Sequence, residues 1–250
     1  VLWIWLTGVF GIATKYAEGL LAIKYRVKDE NDQMSGGPMY YIERGLNNKW
    51  LAKAFAIFGI GVAFFGIGTF AEVNSITSAM DLTFNISPVI VGIIITILVA
   101  LITLGGIKSI SKVAEIIVPF MAIFYILGSL VIIFMNLEAL PHAVALIIKS
   151  AFTKSAALGG FAGSTMIMAL RSGVARGVFS NESGLGSAPI ATAAAKTNSC
   201  VQQGPITMTG TFFDTIVVCT MTGIILVLTG TWSSDLAGAA LTKEAFSVGL

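Results

Sequence analysis

The sequence predicts an all-α polytopic membrane protein, and three observations carry that prediction. Hydrophobic residues make up 56% of the 250. Charged residues make up only 11%, against roughly 25% in an ordinary soluble domain, and mean hydropathy is +0.88. Residues 1–23, 54–80, 88–106, 113–136 and 204–229 each form an apolar run, and each reaches the ~20 residues that a helix needs to cross a bilayer. The chain 1–250 therefore reads as one transmembrane domain.

The first run carries Lys15 and Glu18 in its inner half, one helical turn apart, a spacing at which they pair with each other. The loop 24–53 mixes charge with Gly36–Gly37–Pro38 and the aromatic pair Tyr40–Tyr41. It is expected to be a solvated connector with a short helix from Met39 to Leu46. The second run holds Gly59, Gly61, Gly66 and Gly68, small residues that allow close helix approach. Glu72 and Asn74 fall toward its outer end, where they reach water. Ser87–Pro88 opens the third run and Gly105–Gly106 closes it, in keeping with the turn chemistry of these residues. Glu115, at the start of the fourth run and one turn after Lys112, is at an anchoring end.

The segment 137–154 is too short and too charged to span, and is expected to lie as a helix on the external interface. His142, the single histidine, is a surface residue on that helix. A sixth span, 155–175, is interrupted by Gly159, Gly160 and Gly163. Beyond it, 176–203 reads as a gate or connector, with a helix from Ser187 to Lys196 that is N-capped by Ser187 and has Pro189 in its first turn. Gly204–Pro205 opens the last run. Cys200 and Cys219 have no metal-binding spacing and read as two thiols. The first residue is Val and no signal peptide precedes the first apolar run, so the chain is expected to be an internal fragment of a longer protein.

Basic residues set the orientation. Lys24, Arg26, Lys28, Arg44, Lys49, Lys53, Lys108, Lys112, Arg171, Arg176 and Lys196 fall on one side, against Lys149, Lys154 and Lys243 on the other. The positive-inside rule makes loops 24–53, 106–112 and 171–203 cytoplasmic, and the alternation closes through six spans.

Two features need explaining. The cluster Gly159, Gly160, Phe161, Ala162, Gly163, Ser164, Thr165 would free backbone from its helical hydrogen bonds. At membrane depth such backbone is tolerated only where it is buried in protein or lines a cavity. N–H groups at a half-helix start can bind a carboxylate, and freed carbonyls a cation or ammonium. Phe161 would wall an apolar side chain. The other reading is a tight glycine packing seam.

Asp214 lies within the last run, near mid-bilayer, with Thr211 and Thr215 beside it and Thr207 two turns back. A charge there costs roughly 2.5–3.5 kcal/mol on insertion scales. Asp214, Thr211 and Thr215 are either a site for a hard cation or proton, or a structural acid with a basic or amide partner.

These features exclude some functions. An intramembrane enzyme needs a nucleophile–base pair, metal ligands or paired aspartates in its spans, and one embedded aspartate with one peripheral histidine supplies none. A channel would show a repeated pore ring. No cofactor and no nucleic-acid partner is expected.

The stretches LWIWLTGVFGIATKYAEGLLAIKYR, MSGGPMYYIERGL, LGGIKSISKVAEIIVPFMA, GGFAGSTMIMALRSGVARGVFSNESGLGSAPIATAAAKT and GAALTKEAF resemble, in order along the chain, the alanine or glycine:cation symporter family. The resemblance implies sodium-coupled carriage of a small neutral amino acid across the inner (plasma) membrane, with sodium as co-transported substrate; proton coupling within the same fold stays open. It also implies a partial leucine-transporter-like inverted-repeat core, with about six spans as core helices two to seven. The Gly159–Gly163 cluster then falls at the break in core helix six, and Asp214 on core helix seven. On that resemblance the broken first core helix is expected to precede Val1 and the eighth to follow Leu250. Thr192 stands where many relatives carry histidine.

Overall fold

Apolar helices with sharp glycine, proline and asparagine boundaries account for nearly all of the secondary structure. The computed structural model describes residues 1–30, 33–152 and 166–250. Contacts divide the chain into two units, Val1–Phe65 with Ser150–Thr220, and Gly66–Lys149 with Met221–Leu250.

In the first unit, α1 (Leu2–Lys24) is the central rod. It leads into an antiparallel hairpin, β1 (Val27–Lys28) with β2 (Met34–Ser35), in which Val27 faces Ser35. Next come α2 (Pro38–Gly45) and α3 (Lys49–Phe65). Pro38 starts α2 at a position where its missing N–H costs nothing. Asn48 begins α3, its Oδ1 accepting the Leu51 N–H at 3.0 Å. The rest of this unit includes α8 (Met166–Asn181), α9 (Ser187–Thr192), α10 (Cys200–Thr211) and a π-helical stretch, Phe212–Val218.

Helix α1 packs on α10, α8 and α9 by way of small residues. A Cβ on Gly19 would collide with the Thr207 hydroxyl, and one on Gly204 would stand 2.6 Å from the Tyr16 ring. Glycine at these positions allows the two helix backbones to approach closely, the usual solution where neighbouring lipid is as apolar as leucine.

The second unit contains α4 (Ile67–Phe84), α5 (Pro88–Leu104), α6 (Gly106–Met135), α7 (Leu140–Phe152), α11 (Cys219–Leu228) and α12 (Gly238–Gly249). Its core is Ile132, Ile225 and Ala245, with Ile133, Leu226 and Phe246 packed around them. The Tyr125 and Thr222 hydroxyls share a hydrogen bond of 2.5 Å. Lys243 Nζ donates to the Leu82 carbonyl at 2.5 Å, placing a cation on the C-terminal turn of α4, where the helix dipole favours it.

Among the described residues, three stretches are long and apolar enough to cross a membrane: Lys49–Phe84, Gly106–Met135 and Cys200–Leu228. The run Pro88–Leu104 is apolar at 17 residues, and α1 is long enough at 23 residues but carries Lys15 and Glu18. Phe65, Leu104 and Trp50 are 82%, 85% and 79% exposed, an arrangement that suits lipid rather than water.

Several boundaries differ from the sequence expectation. The run 54–80 is not one helix: Gly66, at φ −57° and ψ 117°, separates α3 from α4. Side chains on Gly59 and Gly61 would meet nothing within 4 Å, so the packing glycines lie on α1 and α10 instead. The last helix starts at Cys200, where the Ser199 hydroxyl accepts the Gln202 N–H at 3.2 Å, and Pro205 sits inside it. Helix α9 is capped by Gly186 at φ 84° rather than by Ser187, and it ends at Thr192. Ser187 instead donates its hydroxyl to Glu182 Oε2 at 2.5 Å. The segment 137–154 contains a 3₁₀ turn, Leu137–Ala139, followed by α7.

Candidate cation cavity

Cys200–Leu228 is a 29-residue helical stretch, and Asp214 is its middle residue. Its regular winding gives way at that point: Phe212–Val218 is π-helical, and the Cys219 N–H bonds the Asp214 carbonyl. Such wide turns insert a residue into a helix and cluster at functional sites. Here the turn lies between Thr211 and Cys219, at the one carboxylate of the stretch.

The Asp214 carboxylate accepts the Ser180 hydroxyl at 2.5 Å and the Thr215 hydroxyl at 3.1 Å. Both reach the same oxygen, Oδ2, which leaves Oδ1 without a donor among the described residues. Thr215 is wholly buried and Thr211 is 3% exposed. The Thr211 hydroxyl has no hydrogen-bond partner among the described residues, and neither does the Asn181 amide nitrogen. A buried polar group left unpaired costs roughly 1–3 kcal/mol, so each of these marks a place where something polar belongs.

These groups surround one cavity of about 270 Å³, lined by Lys15, Ser180, Asn181, Thr207, Thr211 and Asp214 among others. Its wall is built locally. Helix α8 ends at Asn181, and the chain then turns through left-handed Glu182, Gly184 and Gly186, at φ 52°, 85° and 84°. Asn181 Oδ1 accepts the Ser183 N–H at 3.0 Å, and the Ser183 hydroxyl donates to the Gly11 carbonyl at 3.1 Å. Glu18 Oε1 accepts the Gly184 N–H at 3.1 Å. That turn is thereby fixed to the glycine face of α1, which holds Ser180 and Asn181 against Asp214.

Asp214 and Thr211 line the same cavity, and the Thr215 hydroxyl bonds the Asp214 carboxylate. Gly159, Gly160, Phe161, Ala162, Gly163, Ser164 and Thr165 lie outside the described residues. Lys15 and Glu18 pair as their spacing implies, at 3.9 Å, each with a buried side chain. Sequence reasoning did not find Ser180 and Asn181; the signal was the polar run Ser180–Ser183 at the end of a mostly apolar helix.

A second anchor lies at the end of α1. The Arg26 guanidinium donates to the carbonyls of Ala193 at 3.0 Å, Ala195 at 2.7 Å and Thr197, just past the C-terminus of α9, where a cation meets the helix dipole. In α2, burial pushes the Tyr41 phenol up to about 12, with the Glu18 charge as second cause, so it stays a neutral hydroxyl at physiological pH. Replacing Arg26 by Ala should remove about 2 kcal/mol of charged hydrogen bonding and raise hydrogen exchange across 193–198 roughly thirty-fold. Unchanged protection there would show that Arg26 anchors nothing.

Apolar helices around a polar cavity that holds Asp214 define an all-α integral membrane protein. The profile of the sodium:alanine symporter family matches residues 1–250, and the chain belongs to that family, which is one of transporters and not of enzymes. It is 63% identical over its whole length to an "Uncharacterized transporter" of Haemophilus influenzae, of which it covers 55%. It is 51% identical over 98% of its length to the "Sodium/alanine symporter AgcS" of Methanococcus maripaludis, again covering 55%. It is 39% identical over 99% of its length to the "Probable sodium/glutamine symporter GlnT" of Bacillus subtilis, covering 51%. The chain thus spans about half the length of these relatives.

Proposed function

We propose that the full-length protein containing this chain couples inward movement of sodium to uptake of a small neutral amino acid, alanine or glycine, across the plasma membrane. The chain would supply core helices two to seven of a leucine-transporter-like repeat, with residues 24–53, 106–112 (the first turns of α6) and 171–203 on the cytoplasmic side. Asp214 Oδ1 and the Thr211 hydroxyl would hold the cation, because hard cations take oxygen ligands, and Thr215 orients the carboxylate. Backbone groups freed near Gly159–Thr165 would take the amino-acid zwitterion, with Phe161 limiting its side chain.

The observation that carries this reading is a mid-helix carboxylate with an open oxygen, facing the same cavity as a buried hydroxyl that has no partner. The relative named for alanine supports a small substrate, and the one named for glutamine is the reason to test size directly. Proton coupling is the second reading, because an acidic residue within a membrane helix is also the usual proton carrier of a transporter. Labelled alanine, glycine and glutamine uptake into proteoliposomes separates them, with sodium and pH gradients imposed one at a time. A sodium gradient alone should drive alanine or glycine uptake and leave glutamine outside. Uptake driven by a pH gradient in the absence of sodium would overturn the coupling.

A further inference from the structure

The cavity that holds Asp214 also contains a fixed cation, and its pairing is incomplete. Lys15 lines the cavity from α1 and is 6% exposed. Its partner among the described residues is Glu18 Oε2 at 3.9 Å, beyond hydrogen-bond range. That oxygen has no hydrogen-bond partner among the described residues, and the other Glu18 oxygen accepts the Gly184 N–H. An ammonium carries three donors, and none of them is hydrogen-bonded among the described residues. A mostly buried ammonium with one loose partner is poorly compensated for the water it has lost. The half-buried Asp214 carboxylate, once a bound cation has departed, keeps only the Ser180 and Thr215 hydroxyls.

We propose that Lys15 is a tethered counter-cation for the Asp214 cavity. Resting on the cation reading of Asp214, the inference gives that site two alternating occupants. When the transported cation leaves, the Lys15 ammonium swings on its four-carbon stem toward the open Asp214 oxygen and neutralises it. When the cation binds, Lys15 returns to Glu18. The step it serves is the return of the empty carrier, which would otherwise move an unpaired carboxylate through a site of low dielectric. Glu182, on the same cavity wall, is held by the Ser187 hydroxyl at 2.5 Å and stays with the turn.

Net uptake requires the empty carrier to return, whereas exchange of internal for external alanine does not. Both are measured with the full-length protein in proteoliposomes. In Lys15→Gln, the ratio of net uptake to exchange should fall about tenfold or more, the cost of an unpaired buried charge, and half-saturating sodium should fall because a competitor is gone. Lys15→Arg, which keeps the charge, should recover part of the ratio. Lys15→Gln with Glu18→Gln removes both charges, so neither is left uncompensated in the fold, and it should stay slow in net uptake. An unchanged ratio in Lys15→Gln, or full recovery in the double variant, would overturn the proposal and leave Lys15 as the partner of Glu18 alone. Asp214→Asn separates the two levels. Exchange that keeps its sodium dependence in that variant removes the cation site itself. Lost dependence there, with an unaltered ratio in Lys15→Gln, removes only the tethered cation.

Discussion

Replacing Asp214 by Asn is expected to strip sodium dependence from amino-acid uptake while the protein still folds. Asn keeps the shape of the side chain and can still accept from Ser180 and Thr215 on its amide oxygen, so both recorded hydrogen bonds survive. What disappears is the charge. Removing one partner of a charge pair shielded from water costs about 2–5 kcal/mol; Asp214 is half-buried, so the low end applies, roughly thirty-fold in half-saturating sodium. The elution profile in detergent should match that of the unaltered protein. Thr211→Val should shift sodium affinity in the same direction by a smaller factor, because it removes a neutral ligand. Normal sodium dependence in Asp214→Asn would leave the carboxylate as a helix-packing acid bonded to Ser180.

The other large effect is expected on folding. Gly19→Leu should abolish a stable first unit, because its Cβ overlaps the Thr207 hydroxyl, lies 2.8 Å from Thr207 Cβ and lies 3.3 Å from the Gln203 carbonyl. Thr207 is branched at Cβ and bonds the Gln203 carbonyl through its hydroxyl at 2.9 Å, so it has little room to yield. Overpacking of this kind costs about 1–3 kcal/mol where side chains can give, and more where the obstacle is backbone. A drop in melting temperature together with aggregation in detergent is the expected result. Gly59→Leu is the matched control: nothing lies within 4 Å of its Cβ, and leucine is the better helix former. Equal behaviour of the two variants would show that the α1–α10 seam is not where the fold is held.

The sequence reveals the helices because lipid imposes a long apolar run, and because Pro88 and the Gly105–Gly106 pair, with Gly106 at φ 68°, start and stop helices through their own backbone preferences. Gly66 was misleading for a physical reason: the same residue type serves close packing and chain breaking, and only surrounding contacts decide between them. The start of the last helix was hidden similarly, since Ser199 caps it one turn before the more conspicuous Gly204–Pro205. The π turn left no local trace, as FFDTIVV has the same apolar composition as a regular span.

At the site, Lys15–Glu18 and Asp214–Thr215 were legible because their partners are neighbours in sequence. The Ser180–Asp214 contact joins residues 34 apart, and no periodicity encodes it. Ser180 and Asn181 reach the cavity only because left-handed Glu182, Gly184 and Gly186 fold the end of α8 back onto α1. Among the described residues the Thr211 hydroxyl and Asn181 Nδ2 stay unpaired.

One property underlies the account: a carboxylate halfway along a membrane helix keeps an oxygen free for a monovalent cation. Crystals of the full-length protein soaked in a thallium salt report on this directly, because thallium replaces small monovalent cations and scatters anomalously. The account predicts an anomalous peak between Asp214 and Thr211, weakened by competing sodium and missing in Asp214→Asn. A cation peak elsewhere in the protein, with none beside Asp214, would contradict it.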